Sequence, residues 1–133
     1  MDKVAVILTA GKSTRMRSTI PKALHPVLGK PLITHIIDNC RNAGFERVIL
    51  VIGYKGELIK QALGDQVEYA EQKEQKGTAD ALLSAREVLK DFQGIILTIY
   101  GDVSLVPPST IIEMLEHHLK TNSQCTLLSA DLP

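Results

Sequence analysis

The chain has 133 residues, 44% apolar and 23% charged, with 15 basic side chains matched by 15 acidic ones. That length fits one domain with a real core, and the charge balance argues against a nucleic-acid footprint spread over the surface. Two cysteines, Cys40 and Cys125, make neither a disulfide scaffold nor a metal pattern, and no run approaches the ~20 apolar residues of a membrane span.

Val4–Leu8 is short, apolar and β-branched, the pattern of a strand buried on both faces. Residues 9–20 form a loop rich in Gly, Ser, Thr and Arg. Pro31 opens a helical pattern with Leu32, Ile33, Ile36, Ile37 and Cys40 on one face and Gly44 as its stop. Val48–Ile52 reads as a second buried strand, Glu57–Leu63 as a short helix stopped at Gly64, and Val67–Ala70 as a third, more exposed strand. Thr78 is placed to cap a helix reaching about Leu89, with Ala81, Leu82, Ala85 and Leu89 on its apolar side. Ile95–Ile99 is a fourth buried strand, ending at Tyr100-Gly101-Asp102. After Pro107-Pro108, Ser109 starts a helix with Ile111, Ile112, Leu115 and Leu119 facing inward, and Cys125–Leu128 reads as a fifth strand.

This β-α alternation with short links predicts a mostly parallel sheet with helices on both faces. Ligands in such folds sit outside the carboxyl ends of the strands. Three polar segments fall there, residues 9–22, 72–80 and 101–104, and they are expected to converge. Asp131-Leu132-Pro133 follows the fifth strand with no helix to cover it, so the fold either ends there or continues in a longer chain. Met1-Asp2-Lys3 leads straight into the first apolar run, and the chain reads as a cytoplasmic protein with two reduced, buried thiols.

The loop Leu8-Thr9-Ala10-Gly11-Lys12-Ser13-Thr14-Arg15-Met16-Arg17 has the makings of a phosphate cradle. Small residues after a strand expose consecutive backbone N–H groups to an anion, and Gly11 permits close approach or positive φ. Lys12, Arg15, Arg17 and Lys22 supply charge, arginine in bidentate form. Two commoner motifs are excluded. A Walker A loop needs a glycine where Val6 stands, and the dinucleotide fingerprint needs three glycines where this loop has one.

The same residues, followed by Pro21-Lys22-Ala23-Leu24-His25-Pro26-Val27-Leu28-Gly29-Lys30-Pro31-Leu32, resemble the signature of the sugar-phosphate nucleotidyltransferases. Within that family they are most similar to the N-terminal domains that uridylylate N-acetylglucosamine 1-phosphate. Gln72 with Gln75-Lys76-Gly77-Thr78 looks like the family's base-reading segment, and Tyr100-Gly101-Asp102-Val103 like its metal-binding segment. The resemblance implies a three-layer αβα Rossmann-like nucleotidyltransferase fold. It implies that residues 1–133 are the N-terminal nucleotide-binding part of a truncated domain, the sugar-holding residues and a second metal ligand lying further on. The expected ligands are UTP and a sugar 1-phosphate with Mg2+, the products UDP-N-acetylglucosamine and pyrophosphate, and no nucleic acid or membrane takes part.

Residue by residue, Leu8, Ala10 and Gly11 correspond to positions whose backbone approaches the nucleotide. Arg15 corresponds to the catalytic arginine on the triphosphate and leaving pyrophosphate, and Lys22 to the catalytic lysine near the reacting phosphorus. Gln72 corresponds to the reader of the uracil edge, Gly77 and Thr78 to neighbours of base and ribose, and Asp102 to a magnesium ligand. The chain departs from the pattern at Thr9, Ser13, Ala79-Asp80 and Ser104, where relatives carry Ala, Gly, Gly-His and Pro. Asp80 would repel a phosphate if it turned inward. His25 and His35 are expected to be structural. His117 and His118, adjacent rather than spaced i, i+4, are not expected to form a metal pair, and Lys73, Glu74 and Lys76 are expected to be a solvated face. The alternatives are a transferase for a glucose- or mannose-type sugar phosphate, or a nucleotide-binding module without chemistry.

Overall fold

The computed structural model describes residues 1–11, 19–103 and 105–133. Strand β1 (Asp2–Leu8) is flanked by β4 (Arg47–Ile52) and β6 (Gly94–Tyr100), and β5 (Glu68–Glu71) lies beyond β4. The order β5-β4-β1-β6 is parallel throughout, with Val6 opposite both Ile49 and Thr98. Sequence order reverses between β1 and β6, so the crevice at their carboxyl ends is the topological switch point where α/β folds hold ligands.

The apolar run of β1 works as the pattern predicts. Val4, Ala5, Val6 and Ile7 are fully buried because both faces of β1 are covered. One layer is α1 (Leu32–Asn42), α2 (Gly56–Leu63) and α4 (Pro108–Lys120), which set Ile33, Ile36, Ile59 and Ile111 against Ile7, Leu50 and Leu97. Each such side chain taken from water stabilises the fold by roughly 1.5–3 kcal/mol. The opposite layer is α3 (Thr78–Leu83) with the turns after it, where Ala81 and Ala85 pack on Val4, Val6, Ile49 and Val51. Arg47 fastens that layer: its guanidinium forks onto Glu68 at 2.7 and 3.0 Å, donates to the Val88 carbonyl at 3.1 Å and lies 5.7 Å from the Phe92 ring centroid.

Gly44 at φ 93° and Gly64 at φ 55° follow α1 and α2, both at the positive φ that glycine allows at a helix stop. A small hairpin went unread in the sequence. Strands β2 (Pro26–Val27) and β3 (Lys30–Pro31) pair antiparallel around Leu28 (φ 50°) and Gly29 (φ 83°), the doubly positive turn that suits two-residue hairpins.

Several expected elements differ. Helix α3 is regular only to Leu83, not to Leu89, and its N-cap position is Gly77, with no side-chain cap from Thr78. Beyond Leu83 the bonds shorten to three-residue turns, Ala85 N to Leu82 O and Arg86 N to Leu83 O, while Ser84 Oγ donates back to Asp80 O. Strand β6 is not buried on both faces. Leu97 and Ile99 face the α1–α4 layer, but the α3 layer stops short and leaves Ile96 and Tyr100 about half exposed. The expected strand Cys125–Leu128 is not formed. A strand needs a ladder partner, and these residues instead return along α4, where Thr126 Oγ1 meets His118 Nδ1 at 2.8 Å. Cys125 is consequently exposed, whereas Cys40 is buried in the core. No helix among the described residues is long and apolar enough to cross a membrane.

Candidate functional site

The carboxyl ends of the strands are stitched together by continued backbone bonds. Thr9 N donates to Val51 O at 2.9 Å, Gly101 N to Leu8 O at 2.9 Å, and Gln72 N to Ile52 O at 2.8 Å. Each bond carries the parallel ladder one residue past the strand, which draws the three polar segments together. They enclose a cleft of about 640 Å³.

Leu8, Ala10 and Gly11 form one wall, and Gln72, Gly77 and Thr78 another. Lys22, on a short 3-10 turn, and Asp102, just past β6, close the third side, with Lys22 Nζ 3.3 Å from Asp102 Oδ2. Every described residue that the resemblance assigns to nucleotide or metal therefore lines this one cleft. Arg15, with the neighbouring Lys12, Ser13 and Arg17, lies outside the described residues, as does Ser104.

The small residues at the rim have different physical reasons. A Cβ on Gly101 would stand 2.6 Å from Thr9 Cγ2 and 3.0 Å from Leu8 O, so glycine is needed for β6 to leave the sheet against β1. A Cβ on Gly53 would come within 3.2 Å of Ala10 Cβ and Ala10 O. Gly11 is not at positive φ, and a Cβ there meets nothing within 4 Å among the described residues. What Gly11 keeps open is the cleft, not the packing of the protein.

Thr9, Ala23, Gln75, Ala81, Tyr100 and Gly101 also line the cleft, without an individual role assigned to them from the sequence. Gln75 is the most informative, because its amide donates to the Ala10 carbonyl and pins the 72–78 wall to the loop after β1. Its signal in the sequence was its place within the Gln72–Thr78 segment. Thr9 spends its hydroxyl on Val51 O at 2.7 Å, so this departure from alanine serves the sheet. Tyr100 OH reaches Thr78 Oγ1 at 3.5 Å across the cleft.

Asp80, which would repel a phosphate if it turned inward, is not among the residues that line the cleft. It accepts from Gln72 Nε2 at 2.9 Å. Among the histidines, His35 Nε2 meets Val27 O at 2.6 Å and fixes the hairpin on α1. The expected hydrogen-bonding role of His25 is carried by its backbone, N to Lys22 O and O from Leu32 N, since Nε2 has no partner among the described residues. Lys76 and Glu74 pair at 3.0 Å in solvent, the surface role expected of them.

No group of three or more His, Cys, Asp or Glu side chains that could hold a metal occurs among the described residues. A magnesium ion keeps several waters and takes one or two carboxylates alongside substrate phosphates. Asp102, half-exposed at the cleft, fits that donor set as a single hard oxygen ligand.

The profile of the MobA-like NTP transferase domain matches residues 5–131. The bifunctional protein GlmU of Geobacillus sp. (strain WCH70) is 45% identical over 130 residues, which are 98% of this chain and 28% of that protein. GlmU of Staphylococcus haemolyticus (strain JCSC1435) is 43% identical over 98% of this chain and 29% of its own length. The chain thus spans less than a third of the curated relatives it matches. A nucleotidyl transferase from Methanothermobacter thermautotroptrophicus superposes with a TM-score of 0.72 at 25% identity, covering 87% of this chain and 57% of that one.

Proposed function

This chain belongs to the MobA-like NTP transferase family, and from that membership we propose that its cleft binds UTP for uridylyl transfer to N-acetylglucosamine 1-phosphate. The observation that carries the reading is the convergence of three segments, 8–11, 72–78 and 100–102, on one cleft at the switch point between β1 and β6. The transfer would be an in-line displacement. An oxygen of the sugar phosphate bonds to the α-phosphorus, the bond from that phosphorus to the α–β bridging oxygen breaks, and pyrophosphate leaves with the electron pair. The attacking group is already anionic, so no general base is needed. Catalysis of this kind rests on positioning and charge neutralisation.

In this reading the backbone of Leu8, Ala10 and Gly11 faces the nucleotide, and Lys22 neutralises phosphate oxygens near the reacting centre. Arg15 neutralises the triphosphate and the departing pyrophosphate. Gln72 reads the base, with Gly77 and Thr78 beside base and ribose. Asp102 would hold magnesium, which supplies charge neutralisation on the phosphates when bound. The relatives are far longer, so full turnover is proposed for a chain carrying the remainder of such a domain. This chain is proposed to bind nucleotide with little turnover of its own. A cytoplasmic location belongs to the same proposal, supported by two free thiols.

Thermal protection tests it directly. With magnesium, UTP should raise the melting temperature well beyond CTP or ATP, and Arg15→Ala should remove that response. Indifference to all three nucleotides would end the binding claim. Uridylyl transfer to N-acetylglucosamine 1-phosphate rather than glucose 1-phosphate, by a chain extended to the relatives' length, decides the sugar.

A further inference from the structure

Gln72 is the one buried polar side chain among the described residues, 7% exposed, and it lines the cleft. Its Nε2 lies 2.9 Å from Asp80 Oδ2 and 3.4 Å from the Gly77 carbonyl oxygen. An ionised carboxylate and a peptide carbonyl can only accept, so the NH2 group must face both. Turning the amide by half a revolution would set Oε1 against two oxygens and leave the amide protons unpaired in a buried place, which is costly. The amide thus has one orientation, and the carbonyl Oε1 is the group it has left to offer a ligand.

We propose that Asp80 is a positioning residue: it locks the Gln72 amide so that the cleft presents a fixed acceptor to the base. The lock selects a pyrimidine whose Watson–Crick edge carries a ring N–H, uracil or thymine, over cytosine. This rests on the nucleotide-binding reading above and adds the device that sets its base choice. Uracil N3–H would donate to Oε1. Cytosine N3 carries a lone pair there, and two acceptors would face each other with neither satisfied, the situation that polar sites reject most strongly.

Both partners sit on anchored backbone. Gln72 N is bonded to Ile52 O at 2.8 Å, and Asp80 lies in the first turn of α3, where Ser84 N and Oγ both bond its carbonyl at 3.0 Å. The acceptor is therefore set before a ligand arrives, which is how a polar site gains discrimination. Without the carboxylate, only the longer 3.4 Å contact to the Gly77 carbonyl opposes a flip of the amide, which could then serve either pyrimidine.

The test is a calorimetric titration of the 133-residue chain with UTP, CTP and 3-methyluridine triphosphate in magnesium. The last ligand is UTP with the N3 proton replaced by a methyl group. The unsubstituted chain should bind UTP at least about tenfold more tightly than either competitor, the worth of one buried hydrogen bond. Asp80→Asn keeps the shape but can donate as well as accept. It should bring the UTP-to-CTP ratio towards one, and Asp80→Ala should do the same. Equal binding of all three ligands by the unsubstituted chain overturns the lock while leaving nucleotide binding intact. An unchanged UTP-to-CTP ratio in both variants overturns it as well. Silence towards every nucleotide overturns the binding reading and the lock together. The 3-methyl comparison needs no substitution, so it decides even if a variant misfolds.

Discussion

Lys22 Nζ and Asp102 Oδ2 stand 3.3 Å apart at the cleft although 80 residues separate them in the chain. Both side chains are nearly half-exposed, at 46% and 49%. A pair this wet contributes at most about 1 kcal/mol to stability, so its place at the switch point is better explained by ligands than by folding. Asp102→Asn should leave the urea midpoint almost unmoved while removing the magnesium-dependent part of UTP protection. Lys22→Ala should weaken UTP protection with or without the metal. A large fall in stability for either variant, with nucleotide response intact, would make the pair structural.

Gly101 and Gly11 should respond oppositely to alanine. At Gly101 the new Cβ meets Thr9 Cγ2 at 2.6 Å, and Thr9 cannot swing aside without releasing Val51 O. Overpacking of that kind costs roughly 1–3 kcal/mol, readable as a lowered urea midpoint. At Gly11 the Cβ meets no atom of the described residues within 4 Å, so stability should hold within about 0.5 kcal/mol. Nucleotide affinity should nonetheless fall, because the methyl group stands beside the cleft that Gly11 lines. Equal destabilisation at the two positions contradicts this account.

Leu28 sits at φ 50° with its side chain 93% exposed, so it carries left-handed strain with almost no packing in return. Leu28→Asn should stabilise the chain by about 1 kcal/mol, since Asn tolerates that conformation. Thermal denaturation in the absence of ligand gives the sign.

The two cysteines should differ sharply towards a thiol reagent. Cys125 is exposed and should react at once, while Cys40 is sealed in the core and should react only on unfolding. Burial pushes the Cys40 thiol up to about 11 from its usual 9.0. The unfolded chain ionises this thiol near its usual value, and the folded chain does so only near pH 11. Its contribution to stability is therefore whole below pH 9 and lost as pH rises towards 11. Denaturation midpoints across that range should fall more steeply for the native chain than for Cys40→Ala.

Much of this molecule follows from local pattern. The β-branched run Val4–Leu8 could only be a strand covered on both faces. The spacing of Leu32, Ile33, Ile36, Ile37 and Cys40 fixed the buried face of α1, and Gly44 and Gly64 marked the helix ends. Strand polarity then foretold that residues 9–22, 72–80 and 101–104 would meet, while the family resemblance pointed to Leu8, Ala10, Gly11, Lys22, Gln72, Gly77, Thr78 and Asp102, which line one cleft.

The errors fell where long-range partners outweigh local preference. Cys125–Leu128 has strand character, but ladder bonds must come from a neighbour, and Thr126 finds His118 instead. Ile96 reads as core, yet lies open because the α3 layer ends short of β6. Asp80 reads as a hazard to phosphate, and only the approach of Gln72 makes it an acceptor that orients an amide. Residue type and spacing determined which chemistry is present, because periodicity and backbone preference act over a few residues. Which atoms that chemistry faces was decided by the tertiary structure alone, because hydrogen bonds and packing depend on distances that the order of residues does not contain.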